Sequence, residues 1–190
     1  MIKSIWFMCV TSTLIAINSM AASDSDSLVA RLKSGGHVLM VRHANAPGTG
    51  DPPHFTVDDC STQRNLDDTG RLQAQQIGQW LRERGIVSAR VYSSQWCRCL
   101  ETARLMDLGP VMQLPALNSF FESPRDREPN LKSLRHFLAQ QPTNGVLIVL
   151  VTHYVTISAV TGEGVLSGEG VVLQLGPNEA LEYRGRMGFD

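Results

Sequence analysis

Arg42 and His43 stand directly after the apolar run Val38-Leu39-Met40-Val41, with Gly35-Gly36 before it and Pro47-Gly48 beyond. Four consecutive apolar residues between such breaks predict a short buried strand that delivers both side chains at its carboxyl end. Two more positions offer the same chemistry: Arg98, shortly after Ser93-Ser94, and His153, after the hydrophobic run from Val146 to Val151. Each alone reads as a salt-bridged arginine or a packed histidine. Together they describe an anion site. Two guanidiniums and two imidazoles suit a phosphoryl group better than a carboxylate, because several oxygens must be held at once, and arginine's planar fork binds such oxygens in pairs. At an effective dielectric of about 20, unit charges about 4 Å apart interact by roughly 4 kcal/mol before desolvation.

The elements that must position these groups follow from the patterning. Leu28 to Leu32 predicts a short helix closed by Gly35-Gly36, feeding the strand that ends at His43. The stretch from Ala44 to Leu66 is rich in Pro, Gly and Asp and predicts a long functional loop walling a pocket, with His54 and Arg64 as contributors. Asp67 or Thr69 caps a helix reaching Arg84, with Ala74, Ile77, Gly78 and Leu81 on one face. Val91-Tyr92 predicts a second strand ending in Ser93-Ser94; serine is a good cap for the next helix, which places Arg98 about one turn in. Asn118 to Pro124 is a loop holding Glu122 beside Phe120 and Phe121. Leu131, Leu134, Phe137 and Leu138 mark another helix, stopped before Pro142. The run ending at Val151 predicts a central strand covered on both faces. A short helix and a closing antiparallel pair, Val171 to Leu175 and Ala180 to Tyr183, complete the chain. Alternating strands and helices predict an α/β fold, three-layer α/β/α, with a mostly parallel central sheet. Ligands bind such sheets at the carboxyl edge, where Arg42, His43, Arg98 and His153 would converge.

Residues 1–22 carry Lys3, an apolar stretch from Ile5 to Ile17 and the small-x-small site Ser19-Met20-Ala21. They predict a secretory signal peptide cut after Ala21 or Ala22, leaving 23–190 as a single domain in the periplasm or outside the cell, with no stable membrane insertion after cleavage. A formal net charge of -1 and the lack of a long basic run argue against nucleic acid as a partner. Cys9 leaves with the signal. Of Cys60, Cys97 and Cys99, an oxidising compartment favours pairing two; Cys60 with Cys97 or Cys99 would tie the long loop to a helix, whereas Cys97 and Cys99 are too close to bridge easily. No Cys/His cluster has zinc spacing, so neither a metal site nor a cofactor is expected.

Without a metal motif or a Walker-type glycine loop, the nucleophile must be a side chain, and no serine sits in a Gly-x-Ser-x-Gly elbow. A neutral histidine can attack phosphorus, and neighbouring arginines favour that neutral state. The segments Val41-Arg42-His43-Ala44, Ser93-Ser94-x-x-x-Arg98-x-x-x-Thr102-Ala103 and Val151-Thr152-His153 resemble the three signatures of the histidine phosphatase superfamily, in its phosphoglycerate mutase-like branch. Asn65-Leu66 to Gln73-Ala74 and Leu117 to Glu122 fall where that family places comparable segments. The resemblance implies that His43 attacks phosphorus, that Arg42, Arg98 and His153 hold the equatorial oxygens, and that Glu122 acts as acid and then base. Asp51, Asp126 and Glu128 lie on neighbouring loops as alternatives. Ala44 stands where the family usually has glycine. His37 and His136 read as structural, Trp80 as packing, and Trp96 as lining either the pocket or the core.

The expected function is a metal-independent phosphatase hydrolysing a phosphomonoester through a phosphohistidine on His43, with a phosphorylated small molecule or a cell-envelope sugar phosphate as substrate; the size, secretion signal and Arg-His-Ala motif resemble those of the superfamily's lipopolysaccharide heptose-phosphate phosphatases, which implies a heptose phosphate. The alternatives are a phosphohistidine protein phosphatase and a non-catalytic phosphate-binding protein. A mutase needs a closure that so short a chain is not expected to supply.

Overall fold

The computed structural model describes residues 24–142 and 144–190; the predicted signal peptide lies outside them. A helix over residues 24–33 (α1) leads into β1 (His37–Arg42), followed by α2 (Asp68–Glu83), β2 (Arg90–Ser93), α3 (Cys97–Met106), β3 (Val111–Gln113), α4 (Arg127–Ala139), β4 (Ile148–Thr152), α5 (Tyr154–Thr161), β5 (Gly170–Leu175) and β6 (Leu181–Met187). The six strands form one sheet in the order β3-β2-β4-β1-β5-β6. The first four run parallel, while β5 is antiparallel to both β1 and β6. This is the three-layer α/β/α, mostly parallel arrangement of the phosphoglycerate mutase-like fold.

Side-chain alternation explains why both faces of the sheet are covered. Leu39 and Val41 of β1, with Val149 and Val151 of β4, pack against Leu28, Leu32, Ile77, Leu81 and Met106 of α1, α2 and α3. Val38 and Met40, with Ile148 and Leu150, turn the other way onto Leu134, Leu138 and Ile157 of α4 and α5. Among the described residues, no helix is long and apolar enough to cross a membrane.

Local chemistry sets the boundaries, with four departures from expectation. Asp67 caps α2, its side chain accepting from the Gly70 amide. Ser94 does not cap α3: the cap is Trp96, with no side-chain bond, because the Ser94 hydroxyl is engaged in the site described below. Arg98 is therefore the second residue of its helix. Strand β3 is absent from the sequence reading, since three residues at a sheet edge carry too little alternation to announce themselves. Finally, β4 begins at Ile148, leaving Val146 55% exposed, and β6 runs on to Met187.

A disulfide joins Cys60 to Cys97 across 37 residues, leaving Cys99 free and buried. It fastens the long loop to the first residue of α3. Removing it with Cys60→Ala should lower stability by about 2–4 kcal/mol, read as the urea midpoint. A reductant should reproduce the loss in the parent protein and leave the variant unchanged.

Candidate active site

Parallel pairing carries the chemistry to one edge. In register, Arg42 lies opposite Thr152, and the His43 amide donates to the Thr152 carbonyl at 2.9 Å. Residues 43 and 153 are thus delivered side by side, with ring centroids 5.5 Å apart. Strand β2 flanks β4, so α3 starts beside them and brings Arg98 to the same edge. A cavity of about 360 Å³ opens at this edge, and Arg42, His43, Arg64, Arg98, Glu122 and His153 all line it. His54 does not; it occupies an exposed left-handed turn position at φ 68°, and its neighbour Phe55 faces the cavity instead.

His43 is buried at 3% exposure. Its Nδ1 lies 2.8 Å from the Ala44 carbonyl, which can only accept, so Nδ1 carries the proton and Nε2 holds the lone pair. Burial first, then the Arg98, Arg42 and Arg64 charges, push its pKa down to about 3, against the Ala44 hydrogen bond that raises it. His153 is held well below its ordinary value by burial, the neighbouring His43 and the same guanidiniums. Its Nε2 lies 2.9 Å from Ser94 Oγ, and the Ser94 hydroxyl is in turn bound to Asn118 Oδ1 at 3.2 Å. This is the task that removes Ser94 from the helix cap.

A histidine kept neutral by its fold makes stability depend on pH. The unfolded chain takes up protons below about pH 6.5, while His43 in the fold refuses them until about 3. Stability is therefore full above pH 6.5 and falls as pH drops toward 3. We expect the urea midpoint to decline between pH 7 and 5, above the carboxylate range, and the decline to shrink in His43→Asn.

Ala44 is accommodated without strain. Its backbone does not take the positive φ that would demand glycine, its amide donates to Thr102 Oγ1 at 3.0 Å, and its methyl packs with Ala46, Leu66 and Ala74. Trp96 reconciles both readings made of it: it is buried, lines the cavity, and sets its ring 5.5 Å from that of His153. Trp80 packs edge-on against Phe189. His37 is fixed to the Gly35 carbonyl, and His136 sits on the surface near Glu179.

The carboxylates separate by environment. Glu122 is exposed at the mouth of the cavity, its Oε1 3.4 Å from the Asp51 amide; Phe121 beside it is 53% exposed and Phe120 is buried. Asp126 also lines the cavity, whereas Glu128 pairs with Arg127 on the surface. Asp51 makes a buried two-pronged ion pair with Arg98 at 2.8 and 3.1 Å. Burial works against its charge, but hydrogen bonds from Arg98, the Arg64 amide and the Trp96 indole outweigh it and hold the carboxyl below its ordinary range. So held, Asp51 has no proton to donate near neutral pH. Sequence reasoning weighed it only as an acid; Gly48 and Gly50, with φ of 94° and 70°, were the sign of a tight turn, but nothing local announced a partner at residue 98.

The guanidiniums are unevenly satisfied. Arg42 Nη1 donates to the Val165 carbonyl at 2.9 Å, and its plane lies 5.6 Å from the Tyr154 ring. Arg64 Nε donates to the Gly50 carbonyl at 2.7 Å and its Nη1 to that of Ala46. Arg42 Nε and Arg98 Nε are both buried without a partner among the described residues. Buried donors of this kind are costly unless something accepts from them, and both belong to residues lining the same cavity. Among the described residues, no group of three His, Cys, Asp or Glu side chains is arranged to hold a metal ion.

A phosphoglycerate mutase-like sheet with paired imidazoles and guanidiniums at its carboxyl edge is an arrangement whose charge and donors suit an anion. The sequence profile of the histidine phosphatase superfamily (branch 1) matches residues 38–122. Over 84 residues the chain is 37% identical to the mitochondrial serine/threonine-protein phosphatase Pgam5 of Drosophila virilis; the match covers 44% of this chain and 26% of that one, so it spans about a quarter of the relative's length. Among solved structures, the protein histidine phosphatase SixA complexed with tungstate superposes with a TM-score of 0.55 at 16% identity, covering 80% of this chain and 97% of that one. A mutant of the Entamoeba histolytica phosphoserine phosphatase in complex with phosphoserine does so with 0.59 at 13%, covering 81% and 98%. The structures share the fold; the profile and the Pgam5 segment are similarities to the histidine phosphatase superfamily that span less than half of the chain.

Proposed function

We propose that the protein is a phosphatase hydrolysing a phosphomonoester through a phosphohistidine on His43, without a metal ion, and that it works in the periplasm after removal of residues 1–22. One observation carries the catalytic reading: a neutral histidine whose lone pair lies at Nε2 shares a cavity with two guanidiniums whose buried Nε donors have no acceptor among the described residues. A phosphoryl group seated there supplies the missing oxygens. The His43 Nε2 lone pair attacks phosphorus as the bond to the ester oxygen breaks; Arg42, Arg98, Arg64 and His153 hold the nonbridging oxygens, and Glu122 gives its proton to the departing oxygen. Water then attacks the phosphohistidine, returns a proton to Glu122 and releases phosphate with His43 neutral again. The Cys60–Cys97 bridge supports the location, since such bonds persist in oxidising compartments.

A hydrolysis screen of purified protein in EDTA, against sugar phosphates, nucleotides, phosphohistidine peptides and p-nitrophenyl phosphate, tests this reading. Turnover of a sugar phosphate ahead of phosphopeptides is expected, in line with a cell-envelope substrate. Preference for phosphohistidine peptides would reassign the protein to that class, and phosphate binding without turnover of anything would make it a binder. Glu122→Gln should cost about 10²–10⁴ in kcat on sugar phosphates and less on p-nitrophenyl phosphate, whose phenolate leaves without help. A loss under about threefold on the sugar esters would shift the acid role to Asp126.

A further inference from the structure

Arg98 is the most constrained guanidinium of the site. Its Nη1 donates to Asp51 Oδ1 at 2.8 Å and to the Arg64 carbonyl at 3.2 Å, and its Nη2 donates to Asp51 Oδ2 at 3.1 Å. Of the five N–H groups of a guanidinium, this leaves the second proton of Nη2 and the Nε proton, which together form one edge of the plane. The Asp51 carboxylate is itself held from further directions, accepting from the Trp96 indole at 2.9 Å and from the Arg64 amide at 3.0 Å. Both side chains of the pair are only 3% exposed. An anion bound by four donors from a loop and a helix is a fixture, not a mobile counter-ion waiting for phosphate to displace it.

We propose that Asp51 is the positioning residue for Arg98: it grips the guanidinium by its Nη1–Nη2 end, so that the Nε edge is the one presented to the phosphoryl group. The inference rests on the phosphatase reading above and deepens it. The long loop thereby acquires a specific task. Its Gly48 and Gly50 turns, at φ 94° and 70°, fold Asp51 back to a residue 47 positions away, and the disulfide anchors the same loop to the residue preceding Arg98. A bidentate contact to phosphorus oxygens depends on the angle of the plane as well as its distance, and an ungripped arginine side chain samples many such angles.

The test is a double-mutant cycle on kcat with p-nitrophenyl phosphate, alongside the dissociation constant of orthovanadate. Asp51→Asn keeps the shape but cannot accept from both Nη groups, and should lower kcat by about 10²-fold and weaken vanadate binding. In an Arg98→Ala background the same substitution should change kcat by less than about threefold, because nothing remains to be positioned. Equal losses in both backgrounds would overturn the proposal, as would an Asp51→Asn protein that keeps its kcat and binds vanadate more tightly, the behaviour of a competing anion. Should circular dichroism show Asp51→Asn unfolded, Trp96→Phe removes one donor from Asp51 and keeps an aromatic ring at the position; run through the same cycle, it should shift kcat in the same direction by a smaller factor only when Arg98 is present. If the parent protein hydrolyses nothing, the phosphatase reading fails on its own, and the positioning claim is then judged by vanadate affinity alone, which must fall in Asp51→Asn.

Discussion

His43→Ala should abolish phosphate ester hydrolysis, with kcat falling by about 10⁴-fold or more, while the protein remains folded and still binds vanadate. The expectation follows from what the imidazole does: Nδ1 is committed to the Ala44 carbonyl, so the lone pair on the ring lies at Nε2, whereas the other imidazole of the cavity, His153, has its Nε2 engaged with Ser94 Oγ at 2.9 Å. The Cys99 thiol is fully buried, and its pKa is pushed up to about 12 by that burial, outweighing Arg98. Rapid quenching of the parent protein with labelled substrate should trap phosphate in a bond that acid breaks and alkali spares, as expected for phosphohistidine. His43→Ala should show none. Equal hydrolysis by both proteins would end the mechanism, and a label that survives acid would move the nucleophile to another residue type.

The second large effect is on stability and reverses ordinary helix propensity. Gly78 lies inside α2, where alanine is favoured over glycine by about 1 kcal/mol in an exposed helix. Gly78→Ala should nevertheless destabilise the protein by about 3 kcal/mol or more. A methyl added there would stand 1.9 Å from the Met106 carbonyl oxygen and 2.6 Å from its carbon. Backbone at the end of α3 cannot swing aside as a flexible side chain would, so α2 and α3 must part. For a chain of this size such a loss corresponds to roughly 6–12 °C in melting temperature. Since Arg98 stands on α3, kcat should fall as well. A variant that melts at or above the parent temperature would show that the two helices are free to separate at little cost.

Much of this molecule was legible before any coordinates. Val38 to Val41 and Val146 to Val151 are apolar without interruption, which is how a strand covered on both faces reads, and Asp67 before an amphipathic stretch marks where α2 begins. Gly78 on the packing face was visible as a position; the reason only glycine fits was not, because the obstructing carbonyl belongs to another helix. Ser94 shows the reverse failure. Its type suits a helix cap, yet tertiary contacts with His153 and Asn118 claimed its hydroxyl, and local propensity yields when a buried imidazole needs a partner. The three-residue strand β3 left no periodic trace.

Residue types and their spacing thus determined which side chains carry the chemistry: an arginine and a histidine at one strand end, a histidine at another, an arginine just inside a helix, and cysteines able to fasten the loop. What only the tertiary structure decided is how each is held. The protonated nitrogen of His43, the choice of Cys97 over Cys99 for the bridge, and the grip of Asp51 on Arg98 all depend on atoms brought together from distant parts of the chain. Hydrogen bonding and desolvation act over a few ångströms in space, and linear order encodes those distances only through the completed fold.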